Sequence, residues 1–139
     1  MGFFKLKQTG NQVQIGQRIG FRVNYNRRGN GKEGGMAINF RRDMKEGSDI
    51  ILHFNPRHPS YQIILNSFLD GRWQREVITD ANEAVFSDEF TFSLDIVDEK
   101  TILVRVGGGI LTTYTCSVPI TEAEYLEFSP EYRITEEHH

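Results

Sequence analysis

One stretch decides the fold of this chain: Phe90-Thr91-Phe92-Ser93-Leu94-Asp95-Ile96-Val97. Apolar side chains occupy every second position from Phe90 to Ile96, and residues two apart in a β-strand share a face. The stretch therefore predicts a strand with one face in the core and the other toward solvent. Similar runs recur at 13–23, 36–40, 50–55, 61–66, 101–106 and 110–115. Many short strands at such spacing predict an all-β sandwich or barrel.

The connections between these runs are short. Gly107-Gly108-Gly109 predicts a hairpin turn, and Asp98-Glu99-Lys100 predicts another tight connection. Thr121-Glu122-Ala123-Glu124 resembles a helix capping box, although Pro130 leaves room for at most about two helical turns after it. Helix is therefore a minor component of the predicted fold.

The size of the chain argues for one domain. With 139 residues and a mass of 16.0 kDa, we expect a single domain over residues 1–136. Residues 137–139 are expected to form a C-terminal tail, either native or left from a purification tag. Lys and Arg number 16 against 19 Asp and Glu, a net charge of −3. We therefore expect no nucleic-acid partner, and no apolar run approaches the ~18 residues needed for membrane insertion.

Cysteine usage and the N-terminus bear on the compartment. Cys116 is the single cysteine of the chain, so it forms no intramolecular disulfide and no Cys-rich zinc site. Its position in a predicted strand favours a buried, inert thiol. The first residues carry no signal-peptide pattern, and no N-glycosylation sequon is present. We expect a cytoplasmic protein, and export to the extracellular space without a signal peptide stays open.

The sequence offers only weak candidates for catalysis. Gly29-Asn30-Gly31-Lys32-Glu33-Gly34 matches a nucleotide-binding pattern, but an apparent strand follows it where a helix is required, which favours a hairpin loop. Asp95, Asp98 and Glu99 are close in sequence, but two of them fall in a predicted turn rather than across a cleft. No nucleophile-elbow motif accompanies the Ser and His residues. We therefore predict no enzyme activity, no catalytic residues, no metal site and no cofactor.

The informative segment is His53-Phe54-Asn55-Pro56-Arg57. Alternation in a strand sends Phe54 toward the core and places His53, Asn55 and Arg57 together on the opposite face. An imidazole, an amide and a guanidinium then stand in one row of hydrogen-bond donors and acceptors. Such a row can hold a small polyhydroxylated ligand.

Three further residues follow at regular intervals: Asn66, Trp73 and Glu76. Taken singly, Trp73 could be a core aromatic, and Arg57 with Glu76 a surface ion pair. Taken together with the HFNPR core, their order and spacing resemble the carbohydrate-recognition signature of the galectins. The resemblance extends over residues 13–134, supported outside the signature by the strand pattern.

The resemblance implies a two-sheet antiparallel β-sandwich with jelly-roll topology that binds β-galactosides on its concave sheet without metal or catalysis. By similarity, His53, Asn55 and Arg57 would bond the axial 4-hydroxyl of galactose. Asn66 and Glu76 would bond the 6-hydroxyl, and Trp73 would lie against the apolar face of the ring. The implied partners are lactose- and N-acetyllactosamine-type glycans and glycoconjugates.

The chain departs from the galectin pattern beside the tryptophan. Ile78 occupies the place of an arginine that normally touches the second sugar, and Arg75 is a tentative replacement. The loop His58-Pro59-Ser60 is also short for the family. We therefore expect that galactose recognition is kept and that contact with the second sugar is weakened or altered.

Other functions stay open at this stage. A galectin-like scaffold that has weak or no sugar binding and acts through protein partners is the main alternative, which Ile78 favours. A glycoside hydrolase on a similar sandwich is disfavoured because no paired carboxylates are visible. Terminal strands of galectins often pair across a two-fold axis, so a homodimer is a further expectation by resemblance.

Overall fold

The structure is a computed structural model that describes residues 2–7, 14–25, 36–57, 60–81 and 87–137. The 3-10 helix Ile120–Glu122 lies within these ranges, which contain no helix long and apolar enough to span a membrane. They also contain twelve strands: β1 (Gly2–Lys5), β2 (Arg18–Tyr25), β3 (Ile38–Arg41), β4 (Ile50–Arg57), β5 (Gln62–Leu69), β6 (Arg72–Trp73), β7 (Val77–Asp80), β8 (Glu89–Ile96), β9 (Thr101–Val106), β10 (Gly109–Thr115), β11 (Tyr125–Phe128) and β12 (Tyr132–Glu137).

The strands form two antiparallel sheets. Sheet A has the order β1-β11-β3-β4-β5-β6, with β7 also pairing with β5, and sheet B has the order β10-β9-β8-β2-β12. The chain crosses between the sheets several times, because β1, β3–β7 and β11 lie in sheet A while β2, β8–β10 and β12 lie in sheet B. This arrangement confirms the predicted β-sandwich with jelly-roll topology.

The core lies between the two sheets, where alternating strands place their apolar faces. At its centre Phe92 of β8 contacts three aromatic side chains from both sheets, with ring centroids 5.9 Å from Phe21, 6.1 Å from Phe40 and 4.4 Å from Phe54. All four rings are essentially inaccessible to solvent. Phe90, Leu94 and Ile96 are buried with Phe92, as the alternation of this stretch predicts.

The predicted turns are confirmed, but the predicted capping box is not formed. Gly107 and Gly108 adopt φ values of 63° and 87° between β9 and β10, a backbone region that favours glycine. Asp98 closes the other turn, because its Oδ1 accepts the backbone N–H groups of Lys100 and Thr101 at 2.9 and 2.8 Å. The short 3-10 helix instead begins after Pro119, and no side chain caps it.

Several predictions fall on residues that the structure does not describe. These are Val13, the Gly29–Gly34 motif, His58 and Pro59 of the short loop, and the last two histidines. Glu137, the first residue of the predicted tail, is the last residue of β12 and pairs with Gly20.

The single cysteine lies in the core. Cys116 is 1% exposed and forms no disulfide. Burial raises the pKa of its thiol to about 12, because the thiolate would lose its hydration. The predicted burial of the thiol is therefore confirmed, and a raised pKa is what a thiol of low reactivity requires.

Candidate functional site

The register of sheet A assembles the predicted site from strands distant in sequence. Asn39 of β3 pairs with His53 of β4, which pairs with Asn66 of β5. Two residues along the strands, Asn55 pairs with Ile64. Because Leu52 and Phe54 are fully buried, their neighbours His53 and Asn55 share the opposite, outer face of the sheet.

His53 is held by contacts on two sides. Its Nδ1 lies 2.6 Å from Oδ1 of Asn39. Its ring packs against the indole of Trp73, with centroids 4.8 Å apart and planes inclined at 57°. The imidazole therefore has little rotational freedom before any ligand arrives.

The surroundings of His53 keep its ring neutral at physiological pH. Burial, and after it the positive charge of Arg57, lower the pKa of His53 from 6.5 to about 4, against the opposing effect of the Glu127 carboxylate. A neutral imidazole has one N–H donor and one acceptor nitrogen. His53 can therefore accept a hydrogen bond as well as donate one.

Asn55 and Arg57 form the next part of the row. The Asn55 amide donates from Nδ2 to the backbone carbonyl of Met36, which directs its Oδ1 to the Nε–H of Arg57 at 3.1 Å. Among the described residues, neither terminal amino group of Arg57 has a hydrogen-bond partner. The guanidinium is therefore oriented through Nε while its remaining donors are available to a ligand.

Asn66 links β5 to the segment after β6 by a hydrogen bond. Its Nδ2 donates to the Gln74 carbonyl at 3.2 Å, and its Oδ1 accepts the Ser67 N–H at 2.8 Å. The backbone N–H of Gln74 in turn donates to the Ser67 carbonyl at 2.9 Å. Asn66 thus positions the chain on which Trp73 and Glu76 are carried.

Trp73 is exposed rather than buried in the core. The Trp73 side chain is 51% exposed. In the pairing of β6 with β5, Trp73 lies opposite Phe68. The Phe68 ring supports it from one side at 5.1 Å in a T-shaped contact. A large aromatic surface held in place and open to solvent suits stacking against an apolar ligand face.

These side chains line one cleft of about 300 Å³, which contains every predicted site residue except Arg75. Its lining is His53, Asn55, Arg57, Ile64, Asn66, Trp73, Gln74 and Glu76.

Arg75 is exposed outside this lining. Gln74 was not predicted from the sequence as a lining residue. Strand alternation would place Arg75, and not Gln74, on the same face as Trp73, but β6 ends at Trp73 and the alternation stops there. Arg57 and Glu76 form no ion pair with each other.

Ile78 is an exposed apolar residue beside the cleft. It pairs with Ile64, which pairs with Asn55, and its side chain is 56% exposed. Along the same strand Asp80 pairs with Gln62, the neighbour of Arg57. The position that carries an arginine in the galectin pattern therefore lies at the border of the cleft.

A second cleft, of about 490 Å³, lies on sheet B beside Arg18 and Asp95. Asp95 is engaged there by two guanidinium groups, since the Nε atoms of Arg18 and Arg105 both lie 2.6 Å from its carboxylate oxygens. These arginines hold the pKa of Asp95 below its usual range, against the effect of burial. The carboxylate considered for glycoside hydrolysis is thus an ion-pair residue on the other sheet.

Comparison with known proteins agrees with this architecture. The sequence profile described as galactoside-binding lectin matches residues 6–139, nearly the whole chain. No curated protein matches the sequence at a significant level.

Solved galectin structures share the fold. Sheep galectin-11 in complex with glycerol superposes with a TM-score of 0.75 at 15% identity, covering 98% of this chain and 96% of that one. Caenorhabditis elegans galectin LEC-6 gives a TM-score of 0.72 at 19% identity, covering 99% and 88%. A human galectin-16 variant gives 0.72 at 15% identity, covering 99% and 95%.

Proposed function

Because the chain belongs to the galactoside-binding lectin family, we propose that it binds β-galactosides reversibly and without catalysis in the cleft of sheet A. Members of this family are lectins rather than enzymes. The observation that carries the proposal is the convergence of His53, Asn55, Arg57 and Trp73 on one cleft. Three oriented polar groups beside one exposed aromatic ring match the two faces of a galactose ring, one polar and one apolar.

The polar row supplies the specificity. His53 offers an acceptor, and Arg57 offers charged donors whose direction Asn55 fixes at 3.1 Å. An axial 4-hydroxyl can satisfy both at once, because a hydroxyl donates one hydrogen bond and accepts others. A sugar with an equatorial 4-hydroxyl would leave these groups desolvated and unpaired, which is penalised.

Trp73 supplies the apolar contact. Galactose presents a cluster of C–H groups on one ring face, and stacking them on the indole removes apolar surface from water. The supporting contacts from His53 at 4.8 Å and Phe68 at 5.1 Å hold the indole before binding, which reduces the entropy lost on association.

We further propose that the second sugar is held less firmly than galactose. Ile78 is 56% exposed and offers no hydrogen-bond donor at the border of the cleft. Arg75 lies outside the cleft lining. The glutamate Glu76 then remains as the polar contact on this side for a glucose or N-acetylglucosamine residue.

The test compares lactose with cellobiose, disaccharides that differ only in the configuration at C4 of the non-reducing ring. Isothermal titration calorimetry should show lactose binding and at least about tenfold weaker binding of cellobiose. Equal affinities for the two sugars would contradict the role of the polar row. A folded chain that binds neither sugar would instead support the alternative, a galectin-like scaffold that acts through protein partners.

We also propose that two copies associate and so present two sugar sites. β1 and β12 are the terminal strands of sheets A and B in the described chain, and their unpaired edges can receive another strand. The Lys7 N–H donates to Glu136 at 2.9 Å, which brings the ends of the two edge strands together. Light scattering coupled to size-exclusion chromatography should give twice the 16.0 kDa chain mass, and a monomer at micromolar concentration would contradict the proposal.

A further inference from the structure

A chain of four polar side chains runs across sheet A into the sugar cleft, from Arg41 through Glu127 and Asn39 to His53. We infer that Arg41, Glu127 and Asn39 are positioning residues that fix His53 in its Nδ1–H tautomer. The second ring nitrogen, Nε2, is then the acceptor that faces a ligand hydroxyl. The inference about the tautomer does not depend on sugar binding. The effect of the tautomer on sugar affinity rests on the proposed function.

The hydrogen-bonded series of side chains begins at the Arg41 guanidinium, whose orientation is fixed by several hydrogen bonds. Nη2 of Arg41 donates to the Lys45 carbonyl at 3.0 Å, the Ser48 carbonyl at 3.2 Å and the Ser48 hydroxyl at 2.6 Å. Its Nη1 donates to both carboxylate oxygens of Glu127 at 3.2 Å. The side chains of Arg41 and Glu127 are only 10% and 13% exposed, so this ion pair is shielded from water.

Glu127 determines which way the Asn39 amide points. The carboxylate of Glu127 is an acceptor only, and its Oε1 lies 2.9 Å from Nδ2 of Asn39. The reversed amide would place two oxygens against each other at that distance. Asn39 is 5% exposed, so water does not offer it another partner, and its Oδ1 must face His53.

The amide orientation then determines the histidine tautomer. An amide oxygen accepts hydrogen bonds and cannot donate, so Nδ1 of His53, 2.6 Å away, must carry the hydrogen. A neutral imidazole has only one N–H, which leaves a lone pair on Nε2. A ring held this way accepts a hydrogen bond from the sugar instead of competing with Arg57 to donate one.

The tautomer of His53 can be read directly in the ligand-free protein by long-range ¹⁵N–¹H NMR at pH 7. We expect the Nδ1–H form in the unmodified chain. Glu127→Leu releases the Asn39 amide, so a mixture of tautomers is expected. Glu124→Leu removes the same charge from an exposed position just before β11 and should leave the tautomer unchanged.

A double variant separates positioning from a merely structural role. Combining Asn39→Asp with Glu127→Gln keeps the net charge and reverses the donor and acceptor between the two positions, while an acceptor still faces His53. This pair should restore the Nδ1–H tautomer lost in Glu127→Leu, read at about pH 8.5 so that the ring stays neutral, because a carboxylate beside His53 raises the pKa of the imidazole. It also provides the test if Glu127→Leu fails to fold, which circular dichroism would show.

Lactose titration measures the consequence. Glu127→Leu should weaken lactose binding about five- to tenfold, the double variant should recover most of it, and Glu124→Leu should have no effect. An Nε2–H tautomer in the unmodified chain, or an unchanged tautomer in Glu127→Leu, overturns the inference even if lactose binds. If no lactose binds but the tautomer follows these variants, the inference stands and the proposed function fails.

Discussion

His53 and Trp73 form one contact unit in the cleft, with ring centroids 4.8 Å apart and planes inclined at 57°. The two residues lie on β4 and β6, the strands that flank β5, so the contact bridges across the intervening strand. It joins the polar row to the aromatic surface. A ligand that bonds to His53 therefore lies beside the indole face, and the two contributions to binding are made together.

Replacing Trp73 with alanine should remove most sugar binding while leaving the fold intact. The side chain is 51% exposed, so its loss should change the free energy of unfolding by less than about 1 kcal/mol. Loss of the stacking surface should weaken lactose binding at least about tenfold. Calorimetric titration and thermal melting measure the two effects separately.

The matched control is Phe3→Ala. Phe3 is also an exposed aromatic of sheet A, at 56%, but it lies on the terminal strand β1. This variant should keep lactose affinity within about twofold. An equal loss of lactose affinity in both variants would contradict a stacking site at Trp73, because any exposed aromatic residue of sheet A would then have the same effect.

Sugar binding should be insensitive to pH through the range in which an ordinary histidine titrates. Burial and the charge of Arg57 lower the pKa of His53 to about 4, although Glu127 opposes them. The ring therefore keeps its acceptor nitrogen down to about pH 5. Lactose affinity should stay within twofold between pH 7.5 and 5.5, and an affinity midpoint near 6.5 would contradict this prediction.

The same shift links stability to pH. The unfolded chain binds a proton to this histidine below about 6.5, whereas the folded chain does so only near 4. The free energy of unfolding should therefore fall as pH decreases from 6.5 toward 4. Urea titrations of the wild type and His53→Gln isolate this contribution, since the variant should show a smaller decrease across that interval.

Core strands of this fold could be predicted because each has one apolar and one polar face. Phe90–Ile96 is the plainest case, since Phe92 is fully buried while Thr91 is exposed. β1, β6, β7 and β11 were missed because strands of two to four residues rarely show a distinctive alternation, and β12 was missed because the charged Glu136 occupies a buried position. They are strands because a neighbour supplies their hydrogen bonds.

The candidate site was also predictable in part. His53, Asn55 and Arg57 share a face through strand alternation alone, so the polar row could be assigned before the structure was known. The partners of His53 could not be assigned in this way. Glu127 lies 88 residues from Asn39, and only the pairing of β3 with β11 brings the two side chains together.

Phe92→Ala should destabilise the whole domain and lower the apparent sugar binding only by reducing the folded fraction. Phe92 contacts Phe21, Phe40 and Phe54, and none of the four rings is more than 1% exposed. Deleting a phenyl ring from such a site leaves a cavity and costs about 3–5 kcal/mol. Urea unfolding should show this loss, and lactose should partly restore the melting temperature if the remaining folded fraction binds it.

Replacing Ile78 with arginine should strengthen binding of the second sugar. Ile78 is exposed at the border of the cleft, two residues from both Glu76 and Asp80, so a guanidinium there would have carboxylates on either side to orient it. Ile78→Arg should tighten N-acetyllactosamine binding about three- to tenfold and leave methyl β-galactoside binding within twofold. Ile110→Arg is the matched control, because Ile110 is 59% exposed on sheet B, away from the cleft. A gain for the monosaccharide as large as that for the disaccharide would contradict the assignment of position 78 to the second sugar, because the new contact would then be acting on galactose itself.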